Sequence, residues 1–233
     1  MTVICGDALE VMRTMPASSY ELIVLDPDYN DWSSLLEAGL LDESLRLLSD
    51  RGNIVCFTKQ PFDYELRVAV EPFLRRQIVW SFANGGAWCS KALPLISHQL
   101  IYWCSRESLP YFEPRTGVPY SDKTRSFTRS SKVFGGYVEA GRDFTPSDSG
   151  TWMRDHLHIN KPISGHVFEK PYDLLAILIR CLSPGGARIL DPFAGSGAVM
   201  KAAASLDRTC VSIERDQARV RAIEDYLSGR LFT

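Results

Sequence analysis

No two cysteines of this 233-residue chain have the Cys-x-x-Cys spacing of a redox or zinc motif, and all six (Cys5, Cys56, Cys89, Cys104, Cys181, Cys210) are scattered along its length. Several lie in apolar runs, where cysteine packs as a small hydrophobe, so reduced structural thiols and no metal site are expected. His98, His156, His158 and His166 likewise lack the spacing that cages a metal. No stretch of about 18 apolar residues offers a transmembrane helix, and the N-terminus has no basic segment followed by an apolar run and a small-residue cleavage site. A cytoplasmic protein is expected. Positive charge is not in excess either: 26 Lys plus Arg stand against 28 Asp plus Glu, a net charge of -2. Any polyanionic partner must therefore be held by a local patch. What the chain does have is 45% apolar and 23% charged residues, enough to bury a sizeable core and unlike disordered, fibrous or disulfide-scaffold sequences.

Short β-branched or apolar runs alternate with helical patterns, the signature of strands and crossover helices in a doubly wound α/β sheet. The runs TVICG, YELIVLD, NIVCFTK, RQIVWSF, HQLIYWC, ARILD and TCVSIE predict seven strands. Helical spacing of apolar residues predicts helices over Ser33 to Leu48, Pro171 to Leu182 and Ala198 to Leu206. Residues 107–161 break this rhythm with Pro110, Pro114, Pro119 and Pro146, several glycines and few periodic apolar positions. Within Arg115 to Arg142, six basic residues (Arg115, Lys123, Arg125, Arg129, Lys132, Arg142) face two acidic ones. Tyr120, Phe127, Phe134 and Tyr137 are interleaved with them. This stretch reads as an insert with a task separate from the core's.

In ARILDPFAGSG (Ala187 to Gly197) a strand runs into a glycine-rich turn that opens a helix. Such a turn lets backbone amides approach a ligand closely, and the helix N-terminus favours negative charge. Glu214 ends the next predicted strand 17 residues past Gly197, where a carboxylate can accept hydrogen bonds from both hydroxyls of a ribose. Together they predict an adenosine pocket. A nicotinamide dehydrogenase is disfavoured, because Met200 holds the third small position of Gly-x-Gly-x-x-Gly.

Near the other end, Asp26-Pro27-Asp28-Tyr29 follows an apolar strand, at the edge where open α/β sheets bind ligands. The exocyclic amine of a nucleobase is a poor nucleophile because its lone pair is delocalised into the ring. Two acceptors gripping its hydrogens, the Asp26 carboxylate and the Pro27 carbonyl, would favour the tetrahedral nitrogen that attacks a methyl group. Tyr29 offers a flat face for an extruded base. The same residues also suit a plain strand-ending turn, in which Asp, Pro and Asn are common.

ELIVLDPDYN resembles the catalytic motif of the amino-methylating DNA methyltransferases, usually Asp-Pro-Pro-Tyr, and LDPFAGSG resembles their S-adenosylmethionine loop. The catalytic motif precedes the cofactor loop, with a variable insert between, as in the circularly permuted β-class. CGDALEVM is similar to the family's Gly-Asp segment, and HVFEKPYDLL to its His-Pro-Thr-x-Lys-Pro segment. The resemblance implies a circularly permuted Rossmann-like fold, a seven-stranded mixed sheet with helices on both faces and a target-recognition insert. It divides the chain into a catalytic half (1–106), the insert (107–161) and a cofactor-binding half (162–233). S-adenosylmethionine would be held by Asp7 at the adenine amine, by Asp26, Asp191, Phe193, Ala194, Gly195, Gly197 and Glu214, and by His166, Lys170 and the Phe168 amide at the methionine end. Asp26, Pro27 and Tyr29 would be catalytic. Asp28 departs from the pattern by replacing the second proline, removing one fixed φ and adding a carboxylate.

The implied activity is site-specific methylation of adenine N6 in double-stranded DNA, Asp rather than Ser at position 26 favouring adenine over cytosine N4. Arg115, Lys123, Arg125, Arg129 and Lys132 of the insert, with Lys91 in a neighbouring loop, are the expected phosphate contacts. The resemblance also suggests a homodimer and a restriction nuclease as partner. The alternatives are a cytosine-N4 enzyme, a DNA-binding protein of this fold silenced by Asp28, and methylation of RNA or a protein amide. Trp32, three residues past Tyr29, is a candidate second stacking surface, whereas the other tryptophans read as core or rim.

Overall fold

The computed structural model describes residues 1–84, 95–107, 110–119, 148–162 and 169–229. Its strands are β1 (Thr2–Cys5), β2 (Tyr20–Leu25), β3 (Leu48–Thr58), β4 (Leu74–Ser81), β5 (His98–Cys104), β6 (His156–His158), β7 (Arg188–Asp191) and β8 (Thr209–Glu214). They form one sheet in the order β1-β8-β7-β2-β3-β5-β4-β6, parallel throughout except that β5 runs against β3 and β4. All seven predicted strands are present and β6 is an eighth. The expected count is corrected because β6 has three residues, too few to show alternation. It is recruited by the ladder of β4, with Val79 N donating to Asp155 O at 2.7 Å and Ile159 N to Ser81 O at 2.9 Å.

The helices are α1 (Ala8–Thr14), α2 (Trp32–Glu37), α3 (Leu40–Leu47), α4 (Asp63–Val70), α5 (Tyr172–Leu182), α6 (Ala198–Ser205) and α7 (Gln217–Leu227). The helix expected over Ser33 to Leu48 is two, because Gly39 takes a left-handed φ of 92° between α2 and α3, a conformation that glycine adopts without steric cost. The alternating side chains of β2 divide between two cores. Leu22 and Val24 pack with α5 and α6 residues such as Leu178 and Met200. Ile23 and Leu25 pack with Met12, Trp32, Leu40, Leu47 and Leu66 on the opposite face. Helices therefore cover both faces, and no described helix is long and apolar enough to cross a membrane.

Both described ends of segment 107–161 are joined to this core. Buried Asn53 donates to Tyr111 O and Leu182 O, each at 2.8 Å, while its Oδ1 accepts from Trp103 Nε1 at 2.6 Å. At the far end Trp80 Nε1 donates to Ile159 O at 2.7 Å. The chain leaves β7 through α6 towards β8, and leaves β2 through α2 and α3 towards β3. The two connections diverge, so a crevice opens between the C-terminal ends of β2 and β7, where open α/β sheets place their ligands.

Candidate active site

The end of β2 delivers Asp26 to this crevice. Its carboxylate accepts from Lys170 Nζ at both oxygens, 2.7 and 2.5 Å, with the two side chains 21% and 10% exposed. Lys170 belongs to the segment leading into α5, 144 residues away in sequence. The Tyr29 hydroxyl lies 2.9 Å from Gln99 Oε1 on β5 and 3.3 Å from Asp26 Oδ1, so its one proton is offered to two acceptors. Burial first, and then the Asp26 carboxylate, hold the Tyr29 phenol well above its ordinary pKa, which keeps it a neutral donor. Asp28 turns away from this group. It is exposed, and its Oδ1 accepts from Asn30 N at 3.1 Å and Asn30 Nδ2 at 2.8 Å, capping the single turn Tyr29–Asp31. Its φ of -58° is one that proline adopts. An Asx-type cap thus holds the turn.

The end of β7 supplies the other wall. Asp191 is buried; its Oδ1 accepts from Phe193 N at 3.3 Å, while Oδ2 has no partner. Burial, with the nearby charges of Asp26 and Glu214, lifts its carboxyl to about 7. Glu214 at the end of β8 accepts from Gly195 N and Asp216 N, both at 2.9 Å, so the carboxylate ties the glycine loop to the start of α7. Gly195 and Gly197 both have positive φ, 53° and 76°. A Cβ on Gly197 would sit 3.1 Å from Ile223 of α7, whereas one on Gly195 would meet only the Phe193 carbonyl at 3.9 Å. Gly197 therefore brings loop and helix together, and Gly195 leaves its side of the loop open to the crevice. Asp7, one residue beyond Gly6, whose N donates to Glu214 O at 3.1 Å, caps α1 through Glu10 N at 3.0 Å. It is exposed on the same edge.

A cavity of about 380 Å³ continues the crevice between the starts of α5 and α6, and Glu169, Lys170, Asp173, Ala198 and Lys201 are among its walls. Ser196 Oγ donates to Glu169 Oε1 at 3.0 Å, linking the glycine loop to this wall. Carboxylates and ammonium groups on one lining suit a zwitterionic group. The unpaired, buried Asp191 oxygen among carboxylates suits a cationic one. S-adenosylmethionine, with a sulfonium, an amino acid end and a ribose, presents all of these features, so the residues present fit it.

The fold thus gathers Asp7, Asp26, Pro27, Tyr29, Lys170, Asp191, Phe193, Ala194, Gly195, Gly197 and Glu214 at one edge of the sheet. Arg115 is not brought there. Its guanidinium stacks 4.2 Å from the Trp152 ring and donates to Gly150 O at 3.1 Å. Its own carbonyl accepts from Cys181 near the far end of α5. The expectation for Trp32 is corrected: it is buried, with Nε1 on Phe57 O at 3.1 Å, and serves the core rather than a base. Lys91, Lys123, Arg125, Arg129, Lys132, His166 and Phe168 lie outside the described residues. Sequence reasoning missed Gln99, Lys59 and Lys161. No motif marks them, and only strand pairing brings them to this edge.

Residues 22–225 match the family described as DNA methylase. The DNA adenine methyltransferase YhdJ of Escherichia coli K12 is 26% identical over 244 residues, which cover 91% of this chain and 78% of that protein. Among solved structures, the M1.HpyAVI–SAM complex superposes with a TM-score of 0.65 at 16% identity, covering 97% of both chains. The cytosine-N4-specific PvuII DNA methyltransferase superposes with a TM-score of 0.71 at 15% identity, covering 94% of this chain and 83% of that one. At these identities the two structures establish a shared fold.

Proposed function

The chain belongs to the DNA methylase family of N6-adenine and N4-cytosine methyltransferases, and from that premise we propose that it methylates adenine N6 in DNA, with S-adenosylmethionine as methyl donor. The observation that carries this reading is Asp26, a partly exposed carboxylate at the end of β2, fixed by Lys170 and within reach of Tyr29.

When bound, S-adenosylmethionine supplies a methyl group made electrophilic by its sulfonium. The protein's part is to turn an amine with a delocalised lone pair into a nucleophile. Asp26 and the Pro27 carbonyl accept the two N–H bonds of the amine, which favours a tetrahedral nitrogen with its lone pair aimed at the methyl. The amine shares Asp26 with Lys170, so the lysine sets the position of the carboxylate before the base arrives. Tyr29, its hydroxyl held by Gln99, gives the extruded base a face to stack on. Glu214, Asp7 and the glycine loop hold the adenosine end, and Glu169, Lys170 and Lys201 the amino acid end. Ionised Asp191 beneath the loop favours a cation above it. Asp28 is spent on capping the turn, and its charge only adds to what keeps the Tyr29 phenol protonated, which weighs against a protein silenced by that substitution.

Incubation of the full chain with DNA and methyl-labelled cofactor, followed by nucleoside analysis, is the test. N6-methyladenine is the expected product. N4-methylcytosine would move the reading to cytosine, and label found only in RNA or protein would overturn it.

A further inference from the structure

Two ammonium groups lie beside Tyr29, and a third, on Phe82, is near enough to feel their charge. Lys170 Nζ lies 5.5 Å and Lys59 Nζ 5.8 Å from the centre of the Tyr29 ring, and Lys161 Nζ lies 4.0 Å from that of Phe82. Asp26 balances Lys170 alone. Neither Lys59 nor Lys161 has a carboxylate partner among the described residues, and both are partly buried. Lys161 is firmly mounted as well. Its N donates to Asn84 Oδ1 and its carbonyl accepts from Asn84 Nδ2, each at 2.9 Å, while Ala83 N donates to Asn160 Oδ1 at 2.9 Å. Phe82 beneath its ammonium is buried and meets Trp80 edge to face at 5.2 Å. Burial and the charges of Lys170 and Lys59 lower the pKa of Lys161, the mark of positive charge crowded together without enough anion.

We propose that Lys59 and Lys161 form a seat for a backbone phosphate of the nucleotide whose base is held at Tyr29. The proposal rests on the reading of the chain as a DNA methyltransferase and adds a contact to it. A phosphate stands one sugar ring away from the base it carries, the scale on which Lys59 stands from Tyr29. Its charge would supply the anion that two of the three lysines lack. A point-charge contact of this kind carries no sequence information; it positions the extruded nucleotide while Asp26 and Pro27 engage the base. It also supplies at the catalytic rim a positive patch that the overall charge of -2 does not advertise.

The test uses the full chain and a duplex containing the site it methylates. The double variant Lys59→Gln/Lys161→Gln should reduce the slope of log affinity against log salt by about 0.9, the share of one neutralised phosphate, and each single variant by a part of that. KM for DNA should rise several-fold while kcat at saturating DNA stays within about twofold. Lys161→Arg should restore the slope. Calorimetry without DNA should show unchanged S-adenosylmethionine affinity. A weakened cofactor affinity in the Gln variants would assign the lysines to the cofactor's carboxylate and overturn the proposal. So would an unchanged salt slope in variants that melt like the wild type. A wild type that transfers no methyl to DNA would instead remove the methyltransferase reading itself.

Discussion

On the glycine-loop wall of the crevice the buried charges are carboxylates, Asp191 and Glu214, whereas the wall beyond β3 and β4 carries the lysines Lys59 and Lys161. Asp26 and Lys170 pair where the two walls meet. The acidic wall is held from behind by backbone, since Glu214 accepts from Gly195 N and Asp216 N. The basic wall rests on aromatic faces, Phe82 and Tyr29. A carboxylate satisfied by amides keeps its place when a ligand arrives, whereas an ammonium over a ring can exchange a weak contact for a stronger one. One wall is therefore built to receive a cation in a fixed pose, and the other to close on an anion.

The largest break in this comparison is at the junction. Asp26→Ala should lower methyl transfer on the order of 100 to 1,000 fold, measured in single turnover, while calorimetry shows cofactor binding retained.

Next comes the acidic wall. The folded-state pKa of Asp191, about 7, is above its ordinary 3.8, so between those values the folded state binds more protons than the unfolded. Stability should fall as pH rises through that window, the loss being complete above pH 7. Asp191→Asn should remove the fall and stabilise the unliganded protein at pH 8 by about 1 to 3 kcal/mol. It should weaken cofactor binding at the same pH, since the carboxylate is what favours a cation. Melts and calorimetry at pH 5 and pH 8 would check both halves, and equal slopes in wild type and variant would refute the assignment.

Glu214→Ala should be milder, costing about 1 to 1.5 kcal/mol of cofactor affinity as ribose acceptors are lost and Gly195 N is released. The smallest effect is expected at Asp28→Pro. With φ already at -58°, proline replaces the Asn30 cap by a fixed angle, and stability should change by no more than about 0.5 kcal/mol. Activity within twofold of wild type would confirm that Asp28 serves only the turn.

Much of this was legible in the sequence, and what escaped it shares one cause. The seven predicted strands, the glycine loop and the Asp26 turn announce themselves through patterns that close within about a dozen residues. Helix Ser33 to Leu48 was read as continuous because its leucines keep helical spacing across Gly39, whose left-handed turn only the backbone discloses. Strand β6 escaped because three residues hold no period. Lys170 was read through resemblance as a cofactor contact, and the fold gives it the carboxylate of Asp26 as well. Arg115 was read as part of a basic patch whose other members lie outside the described residues; what packing adds is its stacking on Trp152.

The sequence by itself determined the α/β alternation, the permuted order of the Asp26 turn and the glycine loop, and the residue types that can grip an amine or a ribose. It did so because strand period, turn chemistry and helix starts are local consequences of side-chain size and backbone freedom. Only the tertiary structure decided which charges meet. Asp26 and Lys170 are 144 residues apart, and Tyr29 and Gln99 70 apart. Strand order and register, set by burying two apolar faces at once, bring such partners within hydrogen-bond reach, and no spacing along the chain records the result.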